Sequence, residues 1–227
     1  MPELGTVIVT GGSSGLGQAI AEAVEREGGR PVVFDLRPPD HGFDHRLVDL
    51  ADTRSAEAAV RETAEGDGLD AVVTAAGIDA CGRIEDIDGA DWERVVGVNL
   101  LGTAAIVRAA LPYLERSSGR VVTVASTLGL RALSDATAYC ASKFGVVGFS
   151  RALAAETAGR VGVTCLVPGG MQTAFFDGRD EQYRPPPDAK LAPPDRVAET
   201  VIFALTRPDG VEMRELVVCP STEPSWP

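Results

Sequence analysis

The sequence predicts an α/β fold: one domain over 1–227, built on a doubly wound, mostly parallel sheet with helices on both faces. Two observations predict it. Short β-branched and apolar runs alternate with helical stretches, as in TVIVT (Thr6–Thr10), PVVF (Pro31–Phe34), DAVVT (Asp70–Thr74), RVVTVA (Arg120–Ala125) and VGVTCLV (Val161–Val167). Unbroken apolar strands of this kind are buried on both sides, which suits a parallel sheet covered by helices. Breaks rich in small residues follow the carboxyl ends of several runs, and those ends are where ligands bind in such sheets.

The first run opens the argument for a ligand. Thr6–Thr10 is followed by Gly11, Gly12, Ser13, Ser14, Gly15, Leu16 and Gly17, and then by a helical stretch over Gln18–Glu27. A strand, a glycine turn and a helix start aim backbone N–H groups and the positive end of a helix at a phosphate. Side chains there would hold a pyrophosphate away from the backbone. A merely flexible turn is the alternative. Asp35, 18 residues beyond Gly17, ends the second strand, where an acid can accept the adenosine ribose hydroxyls and repel a 2′-phosphate. A strand-end cap is the bland reading. Arg37 partly offsets the repulsion, but the glycine loop itself carries no basic residue, so NAD is favoured over NADP.

Along the rest of the chain, Pro38–His45 reads as a turn-rich loop holding both histidines, His41 and His45, and Arg46–Val48 as a short strand ending at Asp49 and Leu50. Two loop histidines without nearby cysteines predict no metal site. Thr53–Glu65 reads as a helix capped by Asp52 or Thr53, and the fourth strand ends in the break Ala75, Ala76, Gly77. After a loop over Ile78–Asp88, a helix runs from about Ala90 to Arg116, and its apolar middle (Val95–Ala110) encloses one polar side chain, Asn99. A buried amide must be satisfied, which predicts a helix kink or a bound water. Ser126 follows the fifth strand, and Thr137–Glu156 reads as a helix with Tyr139 and Lys143 four apart, on one face and about 5–6 Å apart at Cβ. Pro168, Gly169 and Gly170 follow the next strand. A lid is expected over about 171–194, then a helix over Arg196–Leu205, a strand over Glu215–Val218 and an irregular tail, STEPSWP.

Composition limits the partners. The formal charge of −12 disfavours nucleic acid. No run of about 18 apolar residues suggests a membrane span, and MPELGTVIVT lacks the basic start of a signal peptide, so a cytoplasmic placement is expected. Cys81, Cys140, Cys165 and Cys219 have no metal or redox spacing; the last three read as buried free thiols.

Tyrosine, with an unperturbed pKa of about 10, is a poor base at neutral pH. A lysine ammonium one turn away favours the phenolate. Tyr139 can then take a proton from an alcohol as hydride leaves, or give one to a carbonyl, while Ser126 holds the same oxygen. Taken alone, a Tyr and Lys four apart are common by chance. The ordered set TGGSSGLG (Thr10–Gly17), Asp35, Asp49, VNLLG around Asn99, VAS ending at Ser126, YCASK (Tyr139–Lys143) and PGGMQT (Pro168–Thr173) is not, and it resembles the short-chain dehydrogenase/reductase family. The resemblance covers Thr6–Thr173 by motif and extends by architecture to the last strand.

That resemblance implies a Rossmann-type fold and an oxidoreductase. Tyr139 would be the general acid/base, with Lys143 lowering its pKa and bonding the nicotinamide ribose. Ser126 would position the substrate oxygen, and Asn99 would hold a water that continues a proton relay. Gly11, Gly15 and Gly17 would form the nucleotide turn with Ser13, Ser14 and Leu16. Asp35 would take the ribose with Arg37 beside it, Asp49 and Leu50 would flank the adenine, and Ala75, Ala76, Gly77, Pro168 and Gly169 would line the cofactor's path. Thr173 would bond the carboxamide. The family's usual Asn-Asn-Ala-Gly stands here as Thr74-Ala75-Ala76-Gly77, which removes an amide that ties strands together. The expected substrate is a small or medium apolar secondary alcohol or ketone, met by Asp79 to Arg83, Ser126 to Leu133 and the lid residues Phe175, Phe176 and Tyr183. A 3-oxoacyl thioester (ACP or CoA) reductase using NADPH and a catalytically silent dinucleotide sensor are the alternatives. Scarce charge on the outer faces of Val95–Ala110 and of the Tyr139 helix predicts a homotetramer or homodimer.

Overall fold

Parallel pairing of β-branched strands organises the chain. The computed structural model describes residues 4–224 and Trp226. The reading of the first three residues as lacking a signal peptide lies outside the described residues, as do Ser225 and Pro227 of the tail. Strands β1 (Thr6–Thr10), β2 (Arg30–Asp35), β3 (Asp44–Leu47), β4 (Ala71–Thr74), β5 (Arg120–Val124), β6 (Gly162–Pro168) and β7 (Glu215–Val218) form one sheet in the order β3-β2-β1-β4-β5-β6-β7. Every pairing is parallel; Ile8, for example, lies opposite Val32 on one side and Val72 on the other. The chain builds outward from β1 through β2 to β3, then returns to lay β4 on the free side of β1. The crevice between β1 and β4 is therefore the switch point of the sheet.

The period of two along each strand divides the core. Ile8, Val32, Phe34 and Val72 face α2 (Thr53–Asp67), α4 (Thr103–Ser117) and α5 (Thr137–Glu156), meeting Val60, Ile106 and Leu153. Val7, Val9 and Val73 face α1 (Gly15–Arg26) and α6 (Pro194–Leu205), meeting Ile20, Val24, Val197 and Val201. Asp52 caps α2, accepting from the N–H groups of Arg54 and Ser55. The helix α5 and the strand β7 have the bounds the sequence predicts, and β6 is displaced by one residue.

Besides one- or two-residue shifts at the ends of β6, α2 and α6, further details differ from the sequence reading. Helix α1 begins at Gly15, so Gly15, Leu16 and Gly17 form its first turn rather than a loop before it. Strand β3 starts at Asp44, which places His45 in a strand and leaves only His41 in the loop. All four β3 residues are exposed, because backbone pairing to β2 and not burial makes this edge strand, so its first residues escape a reading based on hydrophobic pattern. The long helix is α3 (Gly89–Val96), a π-helical segment (Gly97–Gly102) and α4, with Asn99 inside the π-helical segment. Cys219 is only half-buried, unlike Cys140 and Cys165.

The continuous stretch Gly89–Ser117 is long and apolar enough by composition to cross a membrane. Its apolar character has a nearer cause, because Val98, Ala105, Ile106, Val107, Ala109, Ala110 and Leu114 are all buried in the core shared with the sheet. On the outer side of this stretch Arg108 is exposed, as is Leu101 at 53%, and Glu115 and Arg116 are exposed near the end of α4. On the outer side of α5, Ala141, Phe144, Gly148, Ala152 and Ala155 are exposed, and the exposed charged residues of this helix are Arg151 and the terminal Glu156.

Ile106 is fully buried between helix and sheet, away from the strand ends. Ile106→Ala is expected to lower unfolding stability by about 2–5 kcal/mol, through lost transfer energy and the cavity left behind. Urea denaturation of the two proteins measures it.

Candidate active site

A cleft opens at the carboxyl ends of β1, β4, β5 and β6, and the motifs of the sequence meet there. Close backbone approach shapes its floor. Gly11 has φ +70°, and a Cβ on it would stand 2.7 Å from the Ala76 Cα. A Cβ on Gly17 would run into the Gly11 carbonyl oxygen. Only glycine fits at either place. Ser14 precedes α1 in extended conformation without capping it by its side chain, so the first-turn N–H groups, which have no partner within the helix, belong to the cleft wall. Thr173 lies across the cleft, against Gly15.

At one end of the cleft, Asp35 is held by backbone donors. The Ser13 N–H donates to Asp35 Oδ2 at 3.0 Å and the Arg37 N–H to Oδ1 at 3.3 Å, while the Ser13 hydroxyl donates to the Arg37 carbonyl at 2.6 Å. Ser13 does not line the cleft; it braces the aspartate that does. Asp49 and Leu50 line the same end, and Arg94 Nη2 sits 3.2 Å from Asp49 Oδ2. Arg94 was not singled out from the sequence, since a helix-surface arginine has no local signal.

The break after β4 takes its shape from the Ala76 N–H, which donates to Thr10 Oγ1 at 3.1 Å. Ala75 packs on the core shared with α1 and α6, and the buried Thr74 hydroxyl has no hydrogen-bond partner. Gly77 backs onto Lys143 and Asn99. Asn99 spends its amide on the protein: Oδ1 accepts from the Ile78 N–H at 2.9 Å, and Nδ2 donates to the Ile78 carbonyl at 2.9 Å and to Ser142 Oγ at 3.0 Å. Its backbone carbonyl accepts from the Thr103 hydroxyl at 2.9 Å. The side chain is thus a staple between the loop after β4 and α5. Ser142, whose hydroxyl donates to the Tyr139 carbonyl at 2.8 Å, completes the staple. The sequence reading passed over it, although a small polar residue beside Lys143 was the available signal.

Helix α5 carries Tyr139 and Lys143 one turn apart, and β5 delivers Ser126. Ser126 is hydrogen-bonded to the Tyr139 phenol, and its Oγ accepts from the Leu128 N–H at 3.1 Å. Lys143 Nζ lies 5.6 Å from the centre of the Tyr139 ring and donates to the Val124 carbonyl at 2.8 Å. Burial pushes the Tyr139 phenol above its usual range, against the opposing pull of the Ser126 hydrogen bond. Burial also pushes the Lys143 ammonium down to about 8. Desolvation is the largest cause at both groups, since each loses water and burial disfavours charge on each.

Pro168, Gly169 and Gly170 leave β6 beside the cleft, where the Gly170 N–H donates to Glu223 Oε2 at 2.8 Å. The tail residues Glu223 and Pro224 thereby join the wall. The lid is stitched at its base, with the Gln172 N–H donating to the Ala192 carbonyl and the Ala192 N–H to the Gly170 carbonyl, each at 2.9 Å. Its Phe175 ring lies 5.6 Å from the Tyr139 ring. Among the described residues no group of three or more His, Cys, Asp or Glu is arranged to hold a metal ion.

Lysine ordinarily titrates near 10.4, so with a folded-state value of about 8 the folded chain gives up this proton first. The group costs the folded state most below pH 8, and that cost fades as pH rises toward 10. The stability of the ligand-free wild type relative to Lys143→Met is expected to rise between pH 7 and pH 10. Urea titrations of both proteins at the two pH values measure the change.

Comparison with known proteins places the chain. The short chain dehydrogenase family profile matches residues 5–184. D-threitol dehydrogenase of Mycolicibacterium smegmatis is 35% identical over 218 residues, covering 86% of this chain and 84% of that protein. The 2-(S)-hydroxypropyl-CoM dehydrogenase 3 of Xanthobacter autotrophicus is 33% identical over 229 residues, covering 88% and 89%. The ligand-free structure of Thermoplasma acidophilum aldohexose dehydrogenase superposes with a TM-score of 0.86 at 26% identity, covering 96% of this chain and 93% of that one. With the glycine turn at the sheet's switch point and Ser126, Tyr139 and Lys143 gathered at one cleft, the chain belongs to the short-chain dehydrogenase family and is an oxidoreductase of the NAD(P)-binding type.

Proposed function

We propose that this protein interconverts a secondary alcohol and a ketone with NAD(H), using Tyr139 as general acid/base. The observation that carries the reading is the Ser126 hydroxyl bonded to the Tyr139 phenol, with Lys143 one turn below, at the cleft floor. Gly11 and Gly17 let the turn pack against Ala76 and on itself, and the first-turn N–H groups of α1 left at the cleft wall fit a dinucleotide's pyrophosphate. Asp35, already oriented by two N–H groups, suits a ribose diol and repels a third phosphate. Leu50, Ala76 and Thr173 line the path between those ends.

The nicotinamide supplies or accepts the hydride when bound. The chain's own residues handle the proton and the oxygen. Ser126 holds the carbonyl or alcohol oxygen, and Tyr139 gives that oxygen a proton in reduction or removes one in oxidation. Lys143, buried beneath it, favours the phenolate whenever it carries its own proton. Asn99 and Ser142 fix the loop after β4 to α5, which keeps the phenol in place. The relatives named as dehydrogenases of threitol, hydroxypropyl-CoM and aldohexose agree with alcohol chemistry. The exposed apolar side of α5, with Phe144 46% exposed, supports pairing with further copies as a dimer or tetramer. The chain acts as one unit with its lid over 171–194.

Tyr139→Phe is expected to lower kcat by about 10²–10⁴ while cofactor binding persists. Because burial holds the phenol protonated, alcohol oxidation by the wild type should accelerate from pH 7 to pH 10 and ketone reduction should not; rates over a neutral alcohol and ketone panel measure both. Parallel fluorescence titrations with NADH and NADPH test the cofactor. NADH should bind more tightly, and Asp35→Ala should narrow the gap by about tenfold, or 1.4 kcal/mol. Tighter NADPH binding by the wild type would reverse the cofactor assignment and favour reduction of a 3-oxoacyl thioester.

A further inference from the structure

The substrate end of the cleft contains an ion pair that the catalytic reading leaves unused. Arg179, in the lid, lies with Nη2 2.9 Å from Asp79 Oδ2, in the loop after β4, and the two side chains are only 16% and 7% exposed. The guanidinium is stacked on two rings at once, 4.6 Å from the centre of Phe175 and 4.8 Å from that of Phe176. Phe175 in turn meets Tyr139, and both charges of the pair act on the Tyr139 phenol. Asp79 is anchored from its own side, accepting from the Ala80 N–H at 2.8 Å and from the Cys81 thiol at 3.3 Å. The loop, the lid and the catalytic helix are thus joined through one pair of charges and two rings.

Burying such a pair costs desolvation that mutual attraction only partly returns, so its effect is sought in what it does to the site. Two consequences follow from the geometry. The stacked Arg179 holds Phe175 and Phe176 as an apolar roof over Tyr139. Asp79 cancels the charge of Arg179, the least exposed arginine at this end among the described residues: Arg83, at the rim, is 69% exposed and already paired with Glu85, and Lys143 lies beneath the phenol. The surrounding wall is acidic, with Asp135, Asp177, Asp180 and Glu223. Arg179 Nη2 makes no aligned hydrogen bond despite its closeness to Asp79, so it retains the capacity to serve another carboxylate if Asp79 lost its charge.

We propose that Asp79 and Arg179 determine specificity, closing an aromatic roof over an uncharged substrate and denying the site to anionic ones. This rests on the alcohol/ketone reading and narrows it to neutral compounds with an apolar or aromatic substituent. A carboxylated ketone would have to displace Asp79 or stand beside it, and like charges brought together without solvent repel strongly. Removing the charge of Asp79 should turn the same pocket toward anions, with Arg179 as their partner.

The test compares acetophenone with 4-acetylbenzoate, which differ by one carboxylate, in the wild type, Asp79→Asn, Arg179→Met and the double variant. Reduction kinetics give kcat/KM. Calorimetry on enzyme saturated with the oxidised cofactor gives binding without turnover. The wild type should prefer acetophenone, and Asp79→Asn should shift the ratio toward 4-acetylbenzoate by about tenfold or more. Arg179→Met should raise KM for acetophenone more than it lowers kcat, and should speed hydrogen exchange over residues 174–184. In the double variant the gain toward 4-acetylbenzoate must vanish, which separates loss of a charge partner from general loosening. An unchanged ratio in Asp79→Asn, a gain that survives in the double variant, or binding of neither ketone by any protein overturns the proposal. Binding with the expected preferences but no hydride transfer would overturn the catalytic reading and leave the selectivity assignment standing.

Discussion

Two ionisable side chains, Tyr139 and Lys143, are buried one helical turn apart at the edge of a parallel sheet, and the surrounding structure is arranged to support that burial. A phenol and an ammonium stripped of water both resist charge, and the opposite shifts of the two groups record it. The lysine's hydrogen-bonding need is met by the Val124 carbonyl, the last of β5, and the tyrosine's by Ser126, two residues later. Strand β5 therefore supplies a partner to each. Helix α5 can hold both only if its first turns do not move, and the Asn99–Ser142–Ile78 bonds secure that end of the helix to the loop after β4. The π-helical segment places Asn99 where its amide reaches both.

The sheet's strand order explains why that site lies next to a nucleotide cradle. Because β4 returns to the free side of β1, the turns leaving these two strands diverge and open a crevice. The two turns still touch, since Gly11 lies against Ala76 and the Ala76 N–H bonds Thr10. A further link runs the other way, from Ser13 to Asp35 and Arg37 at the end of β2. The loop that would hold the pyrophosphate thus also sets the position of the acid that would read the ribose.

Most of this was legible in the sequence, and the part that was not has a common cause. Buried strands, the glycine turn and α5 declare themselves through composition, because burial on both faces or a positive φ restricts which residues can occupy them. Strand β3 was read two residues late, as Arg46–Val48, since the bounds of an exposed edge strand are specified by its neighbour's backbone. The π-helical bonding at Gly97–Gly102 is equally silent, although a lone buried amide announced that something there must bend. Arg94, Arg179 and Glu223 were missed for a third reason. Each meets the cleft through tertiary packing of a segment without periodicity or on a helix surface, so its spacing to any partner has no local meaning. Asn99 was found because a lone amide in an apolar helix must be satisfied, and its partners, Ile78 and Ser142, are set by tertiary packing.

Charge supplies the last step of the synthesis. A chain of net charge −12 with an acidic cleft wall repels a phosphate-bearing cofactor at long range, so attraction under the proposed reading must be short-ranged. The glycine cradle and the first turn of α1 provide it through backbone N–H groups, whose reach is a hydrogen-bond length and whose effect falls off within the turn. Salt screens the long-range repulsion, with a Debye length of about 10 Å at 0.1 M, and leaves those contacts intact. An additional 2′-phosphate gains nothing from the cradle, because it would lie beside Asp35, whose two backbone donors are already committed to the carboxylate. Arg37 is the local counterweight, yet its backbone is engaged in fixing Asp35 in place. The same field acts at the opposite end of the cleft, where the Asp79 charge neutralises Arg179. Under the proposed reading, the acidity of the chain bears on both ends of the site in one sense, against an extra phosphate on the cofactor and against a charge on the substrate.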